Sequence, residues 1–156
     1  MATAIVAKVE HDYHGMGSIP QFAVKIDGCV GLTTTGLANY VANPFGEDMV
    51  ILNVYMCVTT VDATGSADFE IGLADDTSAA TNGKEFFDNI TTYTTAGVYE
   101  GLATEAVTGG SRPIWLKAGT STDSYVTVYQ VGAVDASSLV FNLILIVAPY
   151  AKFKAT

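Results

Sequence analysis

His11-Asp12-Tyr13-His14 sets two imidazoles and a carboxylate side by side, which is how a zinc site on one strand edge begins. A zinc site needs a third and a fourth ligand at fixed geometry, and the chain has no further His. The cluster therefore reads as part of a hydrated N-terminal arm, hinged to the domain by Gly15-Met16-Gly17-Ser18. Asp75 and Asp76, with Thr77 and Asn82 downstream, offer oxygen ligands to calcium. Their spacing matches no EF-hand loop, and the closing bidentate Glu is missing. They are the metal candidates of this chain, set against the simpler expectation of a solvated loop.

Nucleophilic and acid–base chemistry find less support. Both His residues fall in the arm, no G-x-S-x-G turn occurs, and neither Cys29 nor Cys57 has a His near it in sequence. Asp68 and Glu70 project from one strand face as paired glycosidase carboxylates do, but the polar side of an amphipathic strand explains them more simply. Gly109-Gly110 and Gly15 to Gly17 lie between no strand and helix, so neither cradles a phosphate. Eight tyrosines and Trp115 have flat apolar rings suited to stacking on a sugar, and Tyr is equally what buried protein interfaces enrich. The expectation is a chain with no catalytic residues and no cofactor. Cys29 and Cys57 sit among apolar and β-branched neighbours and read as buried free thiols.

The elements that would position any site are strands. Phe22, Val24 and Ile26 alternate with Ala23, Lys25 and Asp27, giving a half-buried strand. Over 49–60 the set Val50, Leu52, Val54, Met56 and Val58 is wholly apolar, which predicts a long central strand with these residues on its core face. Turn residues at 62–66 lead to Phe69, Ile71 and Leu73, so the two strands are expected to form an antiparallel hairpin. Phe86 and Phe87 need an apolar partner, 113–119 forms a short strand with Pro at its start, and 124–131 forms another. The segment 139–148 is apolar on both faces except at Asn142, which predicts a core strand between two covering layers. Residues 34–40 are the best candidate for a short helical turn. Many turn-bounded strands with negligible helix predict an all-β fold, an antiparallel β-sandwich of jelly-roll type with about eight strands. The expected division is an N-terminal arm over 1–18 and a single sandwich domain over 19–156.

Composition narrows the partners. Half the chain is hydrophobic (49%) while only 15% is charged, a low density for a free monomer, so part of the surface is expected to be covered. The net charge of −9 repels a phosphate backbone and argues against nucleic acid. Two pairs of Lys, near the front and in the tail, fall short of a membrane-binding cluster, and the N-terminus lacks the pattern of a secretory signal. Synthesis in a cytoplasm is the expectation.

The strands over 50–58, 67–74 and 85–90, with the arm and the closing strand, resemble in order and composition the small β-sandwich head decoration, or cement, proteins of tailed bacteriophages. The resemblance implies a non-enzymatic virion protein, made in the host cytoplasm, that sits on the capsid exterior and stabilises the head. Its partners would be the major capsid protein and further copies of itself, with a trimer favoured. The alternative from the residues is a carbohydrate- or receptor-binding module of a phage fibre or cell-surface protein.

Overall fold

In the computed structural model the described residues are 3–5, 7–14, 19–62, 67–75, 83–90, 95–101, 114–120 and 123–153, with the side chains at 3, 4, 8–14 and 89 left undescribed. The described elements are β1 (Thr3–Ala4), β2 (Lys8–His14), β3 (Pro20–Val30), β4 (Gly36–Ala42), β5 (Met49–Thr60), β6 (Phe69–Ala74), β7 (Phe87–Ile90), β8 (Gly97–Glu100), β9 (Ile114–Leu116), β10 (Tyr125–Gln130) and β11 (Val140–Pro149). A single 3-10 turn, Tyr150–Lys152, follows β11.

Sheet I runs β1-β4-β10-β6-β7, and sheet II runs β2-β3-β11-β5-β8 with β9 also paired to β5. Leaving out β1, β2 and β9, the remaining eight strands alternate between the sheets in chain order, save for the β6–β7 hairpin. That gives first-eighth-third-sixth in one sheet and second-seventh-fourth-fifth in the other, the strand order of a jelly roll. The pairing is antiparallel apart from the two-residue match of β1 to β4.

The core lies between the sheets. Phe69, Ile71, Leu73, Val126 and Val128 of sheet I meet Val24, Ile26, Val54, Met56, Phe141, Leu143 and Leu145 of sheet II, all buried. Phe69 and Phe141 pack edge-on across the gap with centroids 6.1 Å apart. Gln130 is the largest polar side chain fully buried there, and all its groups are used. Its Oε1 accepts from Leu32 N–H (2.8 Å), and its Nε2 donates to the carbonyls of Gly132 and Val134 (3.2 and 2.7 Å). It ties together the two loops at that end of the sandwich.

Several sequence expectations change here. β5 and β6 are not a hairpin but lie in different sheets, because β5 finds its apolar neighbour in β11 and the long connection carries the chain across the core. Residues 36–42 are strand, not helix: Leu37, Ala38, Asn39 and Val41 are buried, and the ladder to β10 satisfies the backbone. The simple alternation in β5 breaks at Leu52, which the register skips between Asn53 and Ile51. That bulge puts Met49 and Ile51, not Val50 and Leu52, into the core with Val54, Met56 and Val58. Within the segment expected to form an arm, β2 pairs along β3 and β1 along β4, so the backbone of His11 and His14 is strand. The hinge at 15–18 lies outside the described residues.

Candidate functional site

The segment 139–148 was expected to be covered on both faces, and the structure covers one. Phe141, Leu143, Leu145 and Val147 point into the core, while Val140, Asn142, Ile144 and Ile146 are half-buried on the outer side of sheet II. The cause is position: β11 is central in its sheet, so its outward side chains have in-plane neighbours but remain partly open to solvent.

Register assembles the outer face row by row. Ile144 is the partner of Lys25 on β3 and of Tyr55 on β5, and Tyr55 is the partner of Glu100 on β8. One row thus reads Lys25, Ile144, Tyr55, Glu100, with a cation at one end, an anion at the other and apolar bulk between. The next row places Ala23, Ile146 and Asn53 together, and the row on the other side Asn142, Cys57 and Val98. Val98 is 68% exposed, the most exposed large apolar side chain among the described residues.

Polar groups on this face hold one another in place. Lys25 Nζ lies 2.8 Å from Asp27 Oδ1. Asn53 Nδ2 donates to Tyr55 Oη (2.8 Å) and to Glu100 Oε1. A bulge at Asp27 and Gly28 leaves the Gly28 N–H without a ladder partner, and Asn142 Oδ1 accepts from it at 2.9 Å. At the far end Trp115, the register partner of Val50, stacks on Tyr150 with ring centroids 4.2 Å apart.

The two thiols separate by face. Cys29 is fully buried, and burial first, then Asp27, pushes its pKa up to about 12. Cys57 stands half-buried on the outer face, where burial raises its pKa and Lys25 partly counters the rise. The expectation of two buried thiols therefore holds for Cys29 and is corrected at Cys57, whose strand position faces outward.

The other sequence-derived candidates do not converge. Asp75 is exposed and accepts the Asp123 N–H at 3.1 Å, and Asp76 lies outside the described residues. Among the described residues no three of His, Cys, Asp and Glu gather as metal ligands, and no helix is long and apolar enough to cross a membrane. Glu70 is buried (6% exposed) with Lys84 Nζ 4.0 Å away, so the β6 face expected to be solvated is closed. The aromatic rings are dispersed: Tyr40 and Tyr125 meet edge-on in sheet I, Trp115 and Tyr150 face each other, and Tyr55 stands apart on sheet II.

Neither Lys25 nor Glu100 drew notice as a site residue in sequence. The alternation of Lys25 within β3 marked it as outward, but only the pairing order reveals which residues share its row.

No family model and no curated protein matches the sequence. Among solved structures, a chain from "Capsid of Ralstonia phage GP4" is similar with a TM-score of 0.51 at 15% identity, covering 94% of this chain and 98% of that one. At that identity the likeness establishes a common fold over almost the full length of both chains.

Proposed function

We propose that this chain is a non-enzymatic structural protein of a bacteriophage virion, a decoration or cement protein that binds the outer capsid surface. The observation that carries the reading is the end-to-end likeness to a chain of an assembled phage capsid. The outer face of sheet II supports it: half-buried Ile144, Ile146 and Tyr55 with exposed Val98 form an apolar centre, rimmed by Lys25, Asp27 and Glu100. Interfaces are built that way, apolar in the middle and polar at the edge. Strength would come from number, since many copies bridging neighbouring capsid subunits add modest contacts into a large total. The dispersed aromatic rings give the sugar-binding alternative no platform.

The test is to prepare phage heads with and without the protein and compare them by electron microscopy and by heat release of DNA. The reading requires added density on the exterior and a higher rupture temperature when the protein is present. Identical particles, with the protein left at the top of a sedimentation gradient, would overturn it.

A further inference from the structure

We propose that the outer face of sheet II pairs two copies of this chain about a two-fold axis that runs along the strands between β11 and β5. The proposal is independent of the capsid reading.

The argument is one of charge order. The row Lys25, Ile144, Tyr55, Glu100 spans four adjacent strands, so its two charges stand about 14 Å apart, too far to meet within one molecule. When two such faces meet, an in-plane two-fold axis has two simple orientations. An axis along the row sets Lys25 against Lys25 and Glu100 against Glu100, which is repulsive. An axis along the strands reverses the order of strands in the second copy. Lys25 then lies opposite the partner's Glu100 at both ends, and Ile144 lies opposite the partner's Tyr55 at both central positions. The second arrangement keeps the strands of the two sheets roughly aligned, the common way for sheets to pack. It satisfies both charges and buries the apolar centre. A three-fold arrangement brings no such face against its own copy, so the two-fold pair replaces the trimer that composition and family resemblance suggested.

The face is narrow, four strands wide, and falls below the ~800 Å² per partner of a standard interface. The pair is therefore expected to dissociate in the micromolar range and to weaken in high salt, because its charges sit at the rim.

Light scattering and sedimentation equilibrium of the full chain test this directly. Wild type at tens of micromolar should show twice the monomer mass of 16.3 kDa. Lys25→Glu alone and Glu100→Lys alone should each raise the dissociation constant about tenfold. Mixing the two single variants should restore pairing, as a heterodimer in which both cross-contacts are again attractive. The double variant Lys25→Glu/Glu100→Lys should pair with itself as wild type does. Thermal unfolding of each variant, with a cooperative transition retained, separates lost pairing from lost folding, and Ile144→Lys gives a second variant that blocks the centre of the face. A wild type that is monomeric or trimeric at these concentrations overturns the proposal. So do folded single variants that fail to recover on mixing.

Discussion

Gly72 on β6 and Ile144 on β11 hold equivalent places on the two sheets, each on an interior strand at a position directed away from the core. Around Gly72 the chain covers its own sheet. A Cβ there would stand 2.5 Å from the backbone of Gly83 and Lys84, so residues 83–85 cross directly over the strand. Glu85 Oε2 accepts the Leu73 N–H at 2.8 Å and fixes that crossing. All six residues of β6 are buried as a result. Around Ile144 the outward row stays half-open and carries separated charges at its ends. The difference shows that apolar pattern records the need for a covering layer, not its source. Sheet I takes its cover from the same chain, and sheet II is left for another molecule.

The sharpest way to break this contrast is to substitute the two equivalent positions. Gly72→Val has no room against backbone and should cost at least about 3 kcal/mol, leaving the protein unfolded or insoluble by circular dichroism and solubility. Ile144→Asp should remain folded, losing about 1–2 kcal/mol in denaturant titration, because its side chain is half-buried on an open face. A collapse of Ile144→Asp equal to that of Gly72→Val would mean that the outer face of sheet II is sealed after all.

The thiols sharpen the contrast between inside and outside on sheet II itself. Cys57 should react with a maleimide or disulfide reagent in the native protein, while Cys29 should react only on unfolding. The raised Cys29 pKa also has a defined sign. The unfolded thiol ionises near its ordinary value of 9.0 and the folded one near 12, so stability is intact below about pH 9 and falls between pH 9 and 12. The loss is roughly 1 kcal/mol per pH unit, and Cys29→Ala should flatten that slope in alkaline unfolding curves.

The smallest effect belongs to the closed face. Thr127 is 1% exposed on β10, and its hydroxyl is buried without a hydrogen bond. Thr127→Val removes that desolvated group at nearly constant shape and should stabilise by up to about 1 kcal/mol, read as a rise in melting temperature. An equivalent Thr59→Val change on exposed sheet II should leave the melting temperature nearly unchanged.

The strands themselves were legible from residue type and period. Val24 and Ile26, the run from Val54 to Val58, Phe69 with Ile71 and Leu73, and the segment ending at Pro149 all announce strands, since period-two apolar alternation is a local property. Fold class and the absence of long helices followed from it. The bulges at Leu52 and at Asp27 with Gly28 escaped, because a skipped register position is defined against a neighbouring strand distant in sequence. The assignment of β5 and β6 to different sheets escaped for the same reason. Sequence also made Ile144 and Ile146 apolar without deciding what they would face, and made Lys25 and Glu100 charged without placing them on one row. Tertiary structure decided both: the pairing order set the row, and the path of residues 83–85 covered one sheet and not the other.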